Sequence, residues 1–144
     1  TIIDLTADIP TLLRPGGYNI TELQEKLGIE ISLKESTQTK VSGNLVNHYQ
    51  PKTKLIKMSY EQIVDCHEKL SFGNNVIVVH HSNFEEMAFK KYFMPSNPIS
   101  YGKNLYAVLR DLDKLDFDAI YIENPPTDLQ WMAIEDRILK ASHK

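Results

Sequence analysis

The chain has 144 residues, 42% of them hydrophobic, and a net charge of -3 with both signs dispersed. That is room for one ordinary domain, or for a domain of about 90 to 100 residues with a leading piece. No basic footprint suits nucleic acid and no apolar run is long enough to cross a bilayer, so neither direct nucleic-acid binding nor a membrane span is expected, and the protein should be soluble and cytoplasmic.

Cys66 is alone, which rules out a disulfide framework or a cysteine metal site within one chain, fits a reducing cytosol and leaves a structural role for the thiol. The sequence opens on a strand-like TIIDLT with no initiator methionine and no apolar leader, as expected of a piece of a longer protein. Ile2, Ile3 and Leu5 predict a short strand, and Thr11-Leu12-Leu13-Arg14 a second, with Asp8 and Pro10 turning the chain between them. After the break at Pro15-Gly16-Gly17, Thr21 and Gln24 have capping-box spacing, Leu23 and Leu27 share a helical face, and Gly28 can end the helix in the left-handed region.

Residues 29–40 turn polar, and residues 41–53 (VSGNLVNHYQPKT) place turn formers around an adjacent imidazole and phenol, His48-Tyr49. Plain spacers rarely carry that pair, although packing of Tyr49 on a domain edge would also account for it. Three parts are expected: residues 1–31, a linker 32–54, and a domain 55–144.

From Lys54 the pattern alternates between strand and helix. Residues 55–58 read as a strand, and Ser59 with Gln62 as a capping box opening a helix with Tyr60, Ile63, Val64, His67 and Leu70 on one side. Val76-Ile77-Val78-Val79 is apolar without alternation, as a central strand covered on both faces requires. Ser82 with Glu85 is a third capping box, residues 91–94 a further strand, and Leu105, Val108, Leu109, Leu112 and Leu115 the stripe of a long helix opposite Lys103, Arg110 and Asp113. Residues 117–122 form the next strand. Thr127 with Gln130 is a fourth box, before a terminal helix formed with Leu129, Met132, Ala133 and Ile138. The alternation predicts a small Rossmann-like parallel α/β sheet with flanking helices, preceded by a linker and a fragment of a second α/β domain.

Glycines for a dinucleotide's pyrophosphate should follow Val79, yet His80-His81-Ser82-Asn83 stand there, which counts against a small nucleotide-binding enzyme. His80 and His81 point to opposite sides of a strand and cannot readily share a metal. Asp111, Asp113, Asp116 and Asp118 fit a solvated helix face better than a metal site, and Trp131 fits a core or edge anchor. Arg14, at a strand end beside Pro15-Gly16-Gly17, suits a bidentate anionic oxygen, with a surface ion pair as the plainer alternative.

Thr1-Ile2-Ile3-Asp4-Leu5-Thr6, Leu13-Arg14-Pro15-Gly16 and His48-Tyr49-Gln50-Pro51-Lys52-Thr53, in that order around a polar linker, resemble the two-domain form of threonylcarbamoyl-AMP synthase. Tyr101 to Asp113 is similar to that family's long helix, and Ile122-Glu123 before the prolines to its last strand. The family joins a YrdC-like catalytic domain, through a linker with a Pro-Gly and His-Tyr-x-Pro pattern, to a Rossmann-like C-terminal domain. The resemblance implies the end of the first domain, the linker and all of the second. It further implies that the parent uses ATP, Mg²⁺, L-threonine and bicarbonate to make threonylcarbamoyl-AMP and pyrophosphate for tRNA modification.

Carried over by the same resemblance, Arg14 contacts ATP phosphates and Tyr49 folds over the catalytic cleft near ATP, with His48 and Gly43 supporting the linker. This sequence departs from the pattern at Ser42 and Lys54, where prolines are usual. The serine expected before Thr1 and most of the catalytic domain are missing from it. The chain is therefore expected to act as a cleft-closing or regulatory part with no catalytic residue of its own, to hold no cofactor tightly, and to be inactive alone. Without a cleft to cover, residues 41–53 should be mobile or displaced about Ser42-Gly43. The leading strand, having lost its partners, should be poorly ordered or pair with another copy. The alternative is a stand-alone α/β binding or interaction module.

Overall fold

The computed structural model of the protein describes residues 1–6, 8–33, 49–71 and 74–142. Two strands begin it, β1 (Ile2–Asp4) and β2 (Thr11–Arg14), paired antiparallel with Ile3 opposite Leu12. The leading strand, expected to lack partners, finds one within its own segment. Ser32 extends this ribbon through a parallel bridge to Thr11, donating its N–H to Pro10 and accepting from the N–H of Leu12.

Helix α1 (Ile20–Leu27) starts one residue before the expected box. Asn19, not Thr21, is the N-cap, and its side chain accepts the Thr21 N–H at 2.9 Å. Gln24 is drawn away to accept the N–H of Ile31 at 2.8 Å. Gly28 ends the helix at φ 65°, the left-handed conformation expected of it. Leu27, on the helical face it shares with Leu23, is exposed, and Ile20 is the residue α1 buries.

Strand β3 (Lys54–Met58) leads into α2 (Tyr60–Asp65), where the Ser59–Gln62 box forms in full. The single helix expected over residues 60–70 is two: α2 stops at Cys66 and α3 (His67–Ser71) follows. At the break the His67 ring Nδ1 lies 2.7 Å from the Val64 carbonyl. Strand β4 (Val76–His80) is buried at every residue. The segment after it is not a helix, because Asn83 accepts the Glu85 N–H and Ser82 turns to Glu123. Strand β5 (Lys91–Phe93) is exposed throughout.

Helix α4 (Pro98–Leu112), capped by the Asn97 side chain at the Ser100 N–H, carries the expected stripe as far as Leu112. Leu115 falls beyond its end and is exposed. Strand β6 (Ala119–Glu123) precedes α5 (Met132–Ala141). The Thr127–Gln130 box is not made. Asp128 accepts the Gln130 N–H, Trp131 is the N-cap without a side-chain bond, and Leu129 is exposed.

All pairings in the second sheet are parallel, in the order β3-β6-β4-β5. β4 therefore has a neighbour on each side, as its unbroken apolar run requires. Ile77, Val79, Ile120 and Ile122 meet α4 and α5 on one face, and Val76, Val78 and Ala119 meet Ile63, Leu70, Phe84 and Phe89 on the other. His80 packs on Phe84 and Phe93, and His81 on Tyr101 and Trp131. Trp131 is buried in the first layer, and Cys66 is half-buried against the second. Among the described residues no helix is long and apolar enough to cross a membrane.

Candidate functional site

Tyr49 opens the described end of the linker, and its ring lies on α4. It meets the Tyr106 ring edge-on, with centroids 5.3 Å apart and planes at 73°. The hydroxyl is buried with no partner among the described residues. Burial, reinforced by the negative charge of Asp113, pushes the phenol pKa above its ordinary value, so Tyr49 is neutral and acts as a packing ring.

Three residues on, the backbone is gripped. The Asp113 carboxylate accepts the N–H of Lys52 at 3.1 Å and of Thr53 at 2.7 Å. Burial opposes the charged form of Asp113, but those N–H groups, the Thr53 side chain and the Lys52 charge outweigh it and hold the carboxyl below the usual range. An acid at a helix C-terminus is disfavoured by the helix dipole, so these donors also offset that repulsion. Pro51 is buried between the two contacts, and the Gln50 amide reaches the Ser142 carbonyl at 3.4 Å. The end of the linker is thus fastened to α4 at Tyr106 and Asp113, one stripe seven residues apart.

Arg14 ends β2, half-buried, and lies near enough for its charge to act on the Tyr106 hydroxyl. The pKa of Tyr106 is nevertheless raised, chiefly by burial. Of the residues singled out from sequence, Tyr49 packs on α4 through Tyr106, while Arg14 acts on that ring only through its charge. His48 and Gly43 lie outside the described residues, as does the Ser42-Gly43 pivot.

A cleft of about 620 Å³ opens between the leading segment and the first turns of α4 and α5. Tyr18, Ile99 and Leu129, all exposed, face it, with Lys103, Arg137 and Glu22 among its polar walls. Gly16, also in the wall, has no room for a side chain, because an added Cβ would stand 2.0 Å from the Thr1 nitrogen.

The aspartates do not form a centre. Asp111 pairs with Lys114 at 2.8 Å and Asp118 accepts the Asn75 N–H at 3.2 Å. Among the described residues no three His, Cys, Asp or Glu side chains could hold a metal. Sequence reasoning missed Tyr106 and the grip of Asp113. The available signal was their common stripe on α4, hidden because Asp113 was counted with the solvated acids.

A family model for the C-terminal domain of threonylcarbamoyl-AMP synthase matches residues 18–143. The threonylcarbamoyl-AMP synthase of Pyrococcus abyssi is 26% identical over 157 residues, which cover 99% of this chain and 45% of that protein. The crystal structure of P. abyssi Sua5 complexed with L-threonine has a TM-score of 0.77 at 27% identity, over 99% of this chain and 45% of that one. A solved P. abyssi Sua5 variant, with alanine at an adjacent histidine and tyrosine, has a TM-score of 0.73 at 26% identity over 97% and 43%. The chain spans less than half the length of these relatives.

Proposed function

The chain belongs to the family of threonylcarbamoyl-AMP synthase C-terminal domains, and from that footing we propose that it serves as the C-terminal part of such a synthase, closing or regulating a catalytic cleft without catalysing alone. The observation that carries this reading is the family match over residues 18–143 within relatives more than twice as long. The whole protein would convert ATP, L-threonine and bicarbonate to threonylcarbamoyl-AMP and pyrophosphate, for threonylcarbamoyladenosine modification of tRNA.

In that setting Arg14 supplies a guanidinium to the ATP phosphates. The linker bearing Gly43, His48 and Tyr49 covers the cleft and keeps water from a hydrolysable intermediate. The fastening of residues 49–53 to α4 supports the reading, since a strap needs a fixed end. So does the adjacent His-Tyr pair, a pair of the kind replaced in the P. abyssi variant. Mg²⁺, like ATP, belongs to the reaction of the whole enzyme in this reading, and no three His, Cys, Asp or Glu side chains among the described residues could hold it.

The test is kinetic, in the full-length parent. Arg14→Ala should raise KM for ATP at least tenfold, and Tyr49→Ala should lower kcat for threonine-dependent pyrophosphate release by a similar factor. Unchanged kinetics in both variants would remove these residues from the site. A second reading, a free-standing interaction module, draws on the cleft that the leading segment shares with α4 and α5. Loss of function on cutting the parent between the two parts would count against it.

A further inference from the structure

β4 and β6 are neighbours in the sheet, and the chain leaves their carboxyl ends towards opposite faces. After β4, Phe84 and Phe89 enter the layer of α2 and α3. After β6, Trp131 and Ile134 enter the layer of α4 and α5. In open parallel sheets this divergence opens the crevice where ligands bind, their phosphates held by backbone N–H groups at the strand ends.

Here a side chain of the protein occupies the crevice. Glu123, 2% exposed, ends β6. Its Oε2 accepts the N–H of His81 at 2.8 Å and the N–H of Ser82 at 3.0 Å, and the Ser82 hydroxyl donates to Oε1. The His81 Nε2 stands 3.7 Å from Oε2. Two consecutive N–H groups and a hydroxyl converging on one anion are the donor set of a phosphate site. The rings of His81, Tyr101 and Trp131 pack on one another next to this group, with centroids 5.3 to 6.2 Å apart. The sequence matches the arrangement, for the strand is followed by His80-His81-Ser82-Asn83 and not by glycines that would let a pyrophosphate approach.

We propose that Glu123 is a built-in substitute for a ligand's phosphate: the crevice is an anion site closed from within, and the sheet takes no nucleotide or free phosphate there. This is independent of the synthase reading. A buried carboxylate is tolerable only because its oxygens are paired, and the donors in turn need an anion. Removing the carboxylate should therefore leave a site that a small anion can refill.

The experiment follows thermal unfolding of this chain and of Glu123→Ala in acetate, inorganic phosphate or chloride at equal ionic strength. The wild type should not distinguish the salts. The alanine variant should unfold at a lower temperature and recover several degrees in acetate or phosphate but not in chloride. Glu123→Gln, which fills the same space, should show no recovery. Absence of anion-specific recovery in the alanine variant, or its presence in the glutamine variant, would overturn the proposal. If the alanine variant is unfolded in chloride, its refolding yield in acetate reads the same effect. If it folds in neither, the wild-type amide resonances of His81 and Ser82 decide during a phosphate titration: no shift upholds the closed site, and a saturable shift overturns it.

Discussion

His80 is 5% exposed, with its Nδ1 2.8 Å from the Ser82 carbonyl and its Nε2 buried without a partner among the described residues. Nδ1 therefore carries the proton in the neutral ring. Burial lowers the pKa, more than the Ser82 carbonyl and the Glu123 charge raise it. A histidine whose folded pKa lies below its unfolded value of about 6.5 binds a proton more readily when unfolded. Its contribution to stability is complete above about pH 6.5 and is lost as pH falls below it, with a slope of at most about 1.4 kcal/mol per pH unit. Denaturant unfolding between pH 5 and 7.5 checks this: His80→Asn should flatten the slope, and an equal slope in both proteins would place the sensitivity elsewhere.

The docked tyrosine makes a second expectation at this scale. Tyr49→Phe keeps the ring on Tyr106 and removes an oxygen with no partner among the described residues. The stability of the chain should stay within about 1 kcal/mol of wild type or rise. Asp113→Ala strips two N–H groups of their acceptor and should cost about 1 kcal/mol. Urea midpoints compared at equal slope measure both.

Among the elements, helix starts show where local spacing was enough and where it was not. Of the four capping boxes read from sequence, Ser59–Gln62 forms in full. In the other three an Asn or Asp just before or inside the motif accepts the N–H two residues on: Asn19 from Thr21, Asn83 from Glu85, Asp128 from Gln130. These Asx turns compete for the same donors over a shorter loop, and spacing alone does not rank them. Tertiary demand finished the matter for Gln24 and Ser82, which serve Ile31 and Glu123. Such partners, 7 and 41 residues away, lie beyond any local pattern. Two substitutions measure the elements that were legible. Ser59→Ala should destabilise the protein by about 1 kcal/mol through the loss of the box that opens the six-residue α2. Gly28→Ala, at φ 65°, should cost about 1 kcal/mol despite the open space around it.

At the scale of the whole molecule, the parallel sheet was readable because β4 is apolar without alternation and α4 carries an unbroken stripe, both consequences of burial on fixed faces. The strand order was not readable, since β6 inserts between β3 and β4 and nothing local marks that choice. For the candidate site, the sequence singles out Tyr49 but not the ring it packs on, Tyr106, because that contact depends on where the end of the linker meets α4. The leading ribbon keeps exposed apolar residues, Leu5 and Ile9, and pairs only within its own segment among the described residues. An unfinished edge of this kind is what a larger sheet would cover.

We propose that the chain is the C-terminal part of a threonylcarbamoyl-AMP synthase and does not catalyse alone. Pyrophosphate release from ATP, with and without L-threonine and bicarbonate, measured for the isolated chain and for the full-length parent, tests it most directly. Release is expected from the parent only, dependent on both co-substrates. Release by the isolated chain, or none by an intact, folded parent, would contradict it.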